Sequence, residues 1–225
     1  MPKVICIGIP CFGGVDYQVL EDYLRLAYHL GRRHQQYDFQ LAVKGKSEQF
    51  RARNSIARAG LQHGADYIWM LDDDHILDVE NGQEPTGRYD LPVRLANHLE
   101  KNPAIGIVGA LYYQRGGDCY PVIMQENGDG KPYFLHNCEV SGRMQKVAVT
   151  GGGCMMIRRE VFERSQEPWF APEHEFGTDI QICRQARAAG FEVWCDTGLE
   201  IGHLRTERQV ITGKGLGGQF VGVMP

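Results

Sequence analysis

The chain has 225 residues, of which 43% are hydrophobic and 23% charged, and its net charge is −4. These values exclude a disordered or fibrous protein and predict a single globular domain with a buried core. The weak negative charge argues against broad, charge-driven binding of nucleic acid, so no nucleic-acid partner is expected. Glycine contributes 28 of the 225 residues, about 12% against a typical roughly 7%, without a collagen-like repeat.

The N-terminal segment and the cysteines predict a cytoplasmic protein. The apolar run at residues 4–9 ends at Pro10, which makes it too short for a signal-peptide core or a membrane span. The seven cysteines are scattered and contain no C-x-x-C pair, so we expect neither a disulfide framework nor a structural zinc site. No integral membrane segment is expected either.

The first half of the chain alternates between predicted strands and predicted helices. Short apolar runs predict buried strands, and apolar residues at helical spacing predict helices. The predicted strands are 4–9, 38–43, 67–71 and 105–108, and the predicted helices are 15–30, 50–61 and a helix capped by Asp90. This β-α-β order predicts a mostly parallel central sheet flanked by helices.

The second half of the chain is less regular. Tyrosine-rich and glycine-rich segments at 112–150 predict a small antiparallel portion, and 154–157 and 191–195 predict further strands. Thr178 and Gln181 have the spacing of a capping box, which predicts a helix that begins there and ends near Gly190. We therefore expect one α/β domain over residues 1–205. The glycine-rich tail, 206–225, is expected to be mobile, and its residues 213–218 are a candidate lid.

Three consecutive aspartates, Asp72, Asp73 and Asp74, directly follow the predicted strand 67–71. Ligands of open α/β sheets bind at the carboxyl ends of strands, and strand alternation would place Asp72 and Asp74 on one side. Two such carboxylates repel each other unless a cation lies between them, and their oxygens suit Mg²⁺ or Mn²⁺. Two alternatives stay open. The aspartates only end the strand and cap a turn, or Asp73 acts together with His75.

His203 is the other candidate metal ligand, because it follows the last predicted strand. Two carboxylates plus an imidazole would favour Mn²⁺ over Mg²⁺, although a structural role for the histidine is the alternative. Arg51 and Arg53 lie on the helix that precedes the aspartates, where they are placed to face a phosphate.

A second candidate site lies at the start of the last predicted helix. Asp179 falls in its first turn, where the helix dipole favours an acid and where a carboxylate can also accept a proton from a substrate hydroxyl. The nearby Trp169 and Phe170 either belong to the core or stack on a sugar. Residues 151–153 are three glycines that allow a ligand to approach the backbone closely. No Walker or G-x-G-x-x-G motif is present, so no NAD site is expected.

Together these segments resemble the family 2-like glycosyltransferases, which have the GT-A fold. The resemblance covers residues from about 3 to 205 and rests on five stretches in the same order, at 7–10, 51–54, 72–74, 151–162 and 176–183. Residues 72–74 resemble the family's D-x-D motif, and His203 resembles its third metal-ligand position. The chain departs from the family at Thr178, where relatives usually have Glu.

The resemblance implies transfer of a sugar from a UDP- or GDP-linked donor to a hydroxyl acceptor. It implies that Asp72, Asp74 and His203 hold Mn²⁺ or Mg²⁺, and that Asp179 is the base of an inverting reaction. The implied donor contacts are Pro10, Arg53, Asp72 and Asp73, and the implied acceptor-side residues are Gly152, Gly153 and Trp169. A nucleotidyltransferase and a non-catalytic nucleotide- or carbohydrate-binding module are the alternatives.

Overall fold

A computed structural model describes residues 1–77, 89–172, 177–206, 209–213 and 222–223. Its helices are α1 (Tyr17–Arg33), α2 (Gln49–Gln62), α3 (Leu91–Lys101), α4 (Arg159–Arg164) and α5 (Ile180–Ala188). Its strands are β1 (Lys3–Cys11), β2 (Tyr37–Gly45), β3 (Tyr67–Leu71), β4 (His75–Ile76), β5 (Ile105–Leu111), β6 (Ile123–Glu126), β7 (Pro132–Phe134), β8 (Met144–Val147), β9 (Val149–Thr150), β10 (Cys154–Arg158), β11 (Glu192–Glu200), β12 (Gly202–Thr206), β13 (Gln209–Ile211) and β14 (Gly222–Val223). A short 3-10 helix spans Asn137–Glu139.

Seven strands form the central sheet, in the order β2-β1-β3-β10-β5-β11-β8. Strands β1, β2, β3, β5 and β11 run in one direction, whereas β10 and the edge strand β8 are antiparallel to their neighbours. The prediction of a mostly parallel central sheet is confirmed. The small antiparallel sheet β7-β6-β9 confirms the antiparallel portion predicted at 112–150, and a second small sheet, β14-β13-β12-β4, lies outside that range.

The central strands are apolar because helices cover both faces of the sheet. All five residues of β3 are buried, and its alternate side chains enter different hydrophobic clusters. Ile68 and Met70 pack with Ile56 of α2 on one face, whereas Trp69 on the other face belongs to the cluster that contains Leu95 of α3. Packing on both faces therefore holds the strand as far as Leu71, the residue immediately before the aspartates.

Two predicted helix caps differ from the structure. Helix α5 begins at Ile180, and Asp179 occupies its N-cap position without a side-chain capping bond. The predicted capping box at Thr178 is wrong because the Thr178 hydroxyl bonds to Arg53 instead. Asp90 precedes α3 as predicted, but its side chain makes no capping bond either. The predicted helix end is confirmed, since Gly190 follows the C-cap residue with φ +88°.

The C-terminal region extends the smaller sheet. Strand β13 pairs with β12, and β14 pairs with β13. Residues 214–221 and 224–225, with most of the candidate lid, lie outside the described residues, so the domain boundary at 205 and the mobile tail stay predictions. Residues 173–176 lie outside them as well. Within the described ranges, no helix combines the length and the apolar character that crossing a membrane requires.

Candidate active site

Strand pairing brings His203 to the acidic turn. The chain turns after Leu71, and His75 of β4 lies opposite His203 of β12 in an antiparallel register. The backbone N–H of Leu204 donates to the Asp74 carbonyl oxygen at 2.8 Å. This short strand pair places His203 Nε2 3.5 Å from Asp74 Oδ2, although the two residues are 129 positions apart.

The three aspartates point toward different partners because they lie in a turn and not in a strand. Asp72 accepts two hydrogen bonds from Arg53, at 2.8 and 2.9 Å, and one from Gln49 at 3.0 Å. Burial and the nearby Asp73 raise the pKa of the Cys11 thiol to about 11. Asp74 pairs with a different arginine, Arg115. The expected strand alternation of Asp72 and Asp74 does not apply, and a metal-ligand role for Asp72 stays a prediction.

Asp74, His75 and His203 form a compact group whose ligand atoms all lie within 4.8 Å of one another. His75 Nδ1 lies 3.0 Å from the Gly202 carbonyl oxygen, and His203 Nδ1 lies 2.7 Å from that of Tyr113. A carbonyl only accepts, so each Nδ1 carries a proton, and each Nε2 of a neutral ring keeps its lone pair. Backbone carbonyls orient metal-binding histidines in this way.

Two atoms of this group point to a bound cation. His75 Nε2 and Asp74 Oδ1 are buried and have no hydrogen-bond partner among the described residues. Buried polar atoms are normally satisfied, and a divalent ion bound by imidazole and carboxylate would satisfy both. The residues present therefore fit the metal that the resemblance implies.

The charges of the group also suit a cation. Burial lowers the pKa of His75 to about 3, so this imidazole is neutral near pH 7. Burial would raise the pKa of Asp74, but the interaction with the neighbouring His203 and the positive charge of Arg115 outweigh it and lower that pKa to about 2. A neutral imidazole and an ionised carboxylate are the states in which these side chains bind metals.

A buried arginine connects two further candidate residues. Arg53 on α2 is 1% exposed. Its Nη2 binds Asp72, while its Nη1 donates to the Thr178 hydroxyl at 2.7 Å and to Asp179 at 3.1 Å. Burial opposes its charge, but Asp72 and Asp179 raise the pKa of Arg53 above its usual value. Thr178, at the position where the sequence departs from the family that it resembles, therefore binds the buried arginine.

The three glycines of 151–153 lie directly against the site. A Cβ atom would lie 2.1 Å from the Tyr112 hydroxyl at Gly151, 2.6 Å from Arg53 Nη1 at Gly152, and 2.3 Å from His75 Nε2 at Gly153. The Gly152 N–H also donates to Asp179 Oδ2 at 2.7 Å. Part of the glycine excess thus reflects close packing around these side chains, while the acceptor-side role of Gly152 and Gly153 stays a prediction.

Gly152→Ala should destabilise the protein by about 1–3 kcal/mol, the usual cost of overpacking a buried site. The new Cβ would press on a guanidinium that carboxylates hold on both sides. Gly31→Ala is the control, since nothing lies within 4 Å of a Cβ there and the residue is helical; it should stabilise by about 0.5–1 kcal/mol. Urea unfolding measures both. Equal effects of the two substitutions would contradict the packing described here.

Two open clefts adjoin the group. One has a volume of about 420 Å³ and is lined by residues that include Arg53, Asp72, Asp179 and His203. The other, about 340 Å³, includes Asp73 and Asp74. Arg115 lines both clefts and pairs with Asp74 Oδ2 at 3.0 Å, with its side chain 52% exposed. The group therefore lies between the two clefts, with His203 lining the first and Asp74 the second.

Two of the predicted site residues, Pro10 and Trp169, are buried and are not among the residues that line the two clefts. Pro10 is buried in β1, opposite Lys44 of β2. Trp169 is buried, its ring lies 5.1 Å from that of Phe162, and its Nε1 donates to the Phe162 carbonyl oxygen. Of the two alternatives for the aromatic pair, the structure shows packing in the core, since Phe170 is fully buried as well.

The sequence did not indicate several residues of the site. His75 appeared there only as a partner of Asp73, and Tyr112 and Arg115 were not singled out. Arg115 lies four residues beyond the end of β5, and a basic residue just after a strand is the signal that could have pointed to it. Tyr112 gave no such signal, because its contact with Gly153 N–H depends on the folded chain.

Comparisons with known proteins show the fold. No protein-family model matches the chain, and no curated protein matches it. A197 from STIV aligns with a TM-score of 0.62 at 16% identity, over 94% of this chain and 91% of that one. Two glycosyltransferases also align, each over about half of its own length. The fold is GT-A-like.

The first of the two is GalNAc-T7, solved with UDP, GalNAc and Mn²⁺, with a TM-score of 0.51, 13% identity and coverage of 90% of this chain and 44% of that one. The second is the mannosyltransferase PcManGT from Pyrobaculum calidifontis, in complex with GDP-Man and Mn²⁺. It has a TM-score of 0.52, 12% identity and coverage of 89% and 56%. At these identities the likeness establishes the fold alone.

Proposed function

We propose that this protein is a metal-dependent glycosyltransferase that moves a sugar from a UDP- or GDP-linked donor to a hydroxyl acceptor. The observation that carries the proposal is the group of Asp74, His75 and His203, in which Asp74 Oδ1 and His75 Nε2 have no hydrogen-bond partner among the described residues and which two open clefts adjoin. The GT-A-like fold and the Mn²⁺ and nucleotides of two structural neighbours support it.

Asp74, His203 and His75 would hold Mn²⁺ or Mg²⁺. When bound, such an ion offsets the negative charge that develops on the departing diphosphate. Asp72, which pairs with Arg53 and lines the first cleft, stays a predicted metal ligand and donor contact. Arg115 is half exposed and lines both clefts, so its guanidinium can leave Asp74 and bind diphosphate oxygens.

Asp179 would act as the base that accepts the proton of the acceptor hydroxyl. Its Oδ1 faces Arg53, and the Gly152 N–H fixes Oδ2, so the carboxylate has one defined orientation at the cleft. Arg53 is almost fully buried and serves as a positioning residue for Asp72 and Asp179. The acceptor would then bind next to Gly152, while Asp73 and Pro10 stay predicted donor contacts.

A donor panel tests this proposal. UDP- and GDP-linked sugars are incubated with the protein and Mn²⁺, and release of the nucleoside diphosphate is measured. Asp179→Asn should lower turnover by about 10²–10⁴-fold, the usual contribution of a general base, and leave affinity for UDP or GDP unchanged. Asp129→Asn, an exposed aspartate in the turn after β6, is the control. Unchanged turnover in Asp179→Asn would contradict the assignment.

A non-catalytic nucleotide-binding module is the second candidate, because Asp179 already accepts hydrogen bonds from Arg53, Thr178 and Gly152. Calorimetry with UDP and GDP, with and without Mn²⁺, separates the two. Metal-dependent binding without turnover of any donor in the panel would favour the module.

A further inference from the structure

A second histidine-aspartate group lies at the C-terminal end of α1. His29 lies near the end of that helix, His34 is its C-cap residue, and Asp90 immediately precedes α3. His29 lies six residues beyond Tyr23, whose hydroxyl donates to the Asp72 carbonyl. That spacing is about 9 Å along the helix axis. The group thus stands apart from the Asp74 turn.

The two imidazoles converge on one oxygen atom. His29 Nε2 lies 2.5 Å and His34 Nε2 lies 2.7 Å from Asp90 Oδ1. The ligand atoms of all three side chains lie within 4.8 Å of one another. Zinc bonds to imidazole nitrogen and carboxylate oxygen are about 2.0–2.2 Å long, so small shifts would bring all three atoms into the coordination shell of one ion.

The burial of the group suits a site that solvent can reach. The side chains of His29 and His34 are 10% and 14% exposed, and that of Asp90 is 34% exposed. Packing therefore holds the two histidine side chains, whereas the Asp90 carboxylate is accessible to solvent. An ion could enter there and keep water as a further ligand, as open zinc sites do.

Asp90 gives up the usual role of its position. An aspartate just before a helix normally accepts a hydrogen bond from a backbone N–H of the first turn. Asp90 makes no such bond to α3 and directs its carboxylate to the two histidines. Asp90 therefore bonds to the two histidines in place of the N-terminus of α3.

A neighbouring side chain can support the histidine in its metal-binding form. Bonds to a carboxylate oxygen place the proton of each neutral ring on Nε2, and metal binding requires it on Nδ1 instead. The Gln36 side-chain amide lies 3.3 Å from His34 Nδ1. With its oxygen turned toward the ring, Gln36 would accept the Nδ1 proton, as carbonyl partners of metal-bound histidines do.

We propose that His29, His34 and Asp90 form a second metal site, which takes Zn²⁺ or another divalent ion that prefers imidazole ligands. Two histidines and a carboxylate match that class of ion. The ion would join the end of α1 to the start of α3. This site is independent of the proposed sugar transfer, and its test does not depend on any nucleotide.

The test is zinc calorimetry in an Asp74→Asn/His203→Gln background, which removes ligands of the other group. This background should bind one equivalent of Zn²⁺. Adding His29→Gln and His34→Gln removes two ligands and should weaken zinc binding by more than about 100-fold. Gln36→Leu removes only a hydrogen-bond partner of a ligand and should weaken zinc binding by about 10–100-fold. His63→Gln, on the exposed C-cap residue of α2, is the control and should have no effect.

A measurement on the wild-type protein guards against misfolded variants. Long-range ¹H–¹⁵N spectra of the histidine rings, recorded during zinc addition, should show coordination at Nε2 of His29 and His34. The proposal is overturned if these Nε2 signals do not move. It is overturned equally if the background protein binds no zinc, or if the His29→Gln/His34→Gln change leaves zinc affinity intact.

Discussion

Asp74→Asn should nearly abolish Mn²⁺ binding and lower turnover of the nucleotide sugar by about 10²–10⁴-fold. A metal ion contributes several kcal/mol to the stabilisation of a departing phosphate, and each 1.36 kcal/mol corresponds to a tenfold change in rate. Asparagine keeps the shape of the side chain but removes the charge that His75 and His203 cannot supply. Asp74 also keeps its charge down to acidic pH, because its pKa is about 2.

The substitution should leave the fold intact, since the partner Arg115 is half exposed and water can solvate it. Mn²⁺ affinity is followed by electron paramagnetic resonance of free Mn²⁺, and turnover by diphosphate release. Asp129→Asn is again the matched change from carboxylate to amide. Wild-type Mn²⁺ affinity in the Asp74→Asn protein would show that the metal binds elsewhere.

Arg53→Met should produce the largest loss of stability, about 3–5 kcal/mol, because it leaves Asp72 and Asp179 as buried charges without their shared partner. For a domain of this size, such a loss corresponds to a fall in melting temperature of about 6–20 °C. Methionine retains most of the apolar stem, so the effect reports mainly on charge. Arg58→Met is the control on the same helix. Arg58 is half exposed and pairs with Glu167 at the surface, so its loss should cost less than about 1 kcal/mol.

The pH dependence of the Arg53→Met effect follows from the same contacts. Burial already raises the pKa of Asp72, and without the guanidinium, whose charge lowers it, that pKa rises further above the unfolded value of about 3.9. A raised folded-state pKa favours the folded protein at acidic pH, and this contribution is lost as the pH rises. The destabilisation should therefore be smallest near pH 4 and largest near pH 8. A pH-independent loss, or one no larger than that of Arg58→Met, would argue against the buried ion pairs.

Local sequence patterns predicted the central sheet well. The run at 67–71 is apolar because helices cover both faces of that strand, and the structure has β3 at the same residues. The capping box predicted at Thr178 was wrong because a long-range contact takes its place. Its hydroxyl satisfies Arg53, which lies 125 residues earlier in the chain, and no local pattern carries that information.

The metal group could be predicted only in part. Asp74 and His203 were expected as ligands from the resemblance, but their approach depends on the pairing of β4 with β12, which spacing does not reveal. The strand alternation expected for Asp72 and Asp74 does not hold, because the chain turns after Leu71 and the Asp72 side chain pairs with Arg53.

The most direct test of the account is a crystal structure with Mn²⁺ and UDP or GDP, measured at the manganese absorption edge. We predict one anomalous peak within coordination distance of Asp74, His75 Nε2 and His203 Nε2, with the diphosphate bound beside it in the cleft that Arg53 and Asp179 line. A manganese peak away from these side chains, with the nucleotide bound elsewhere, would contradict the central claim.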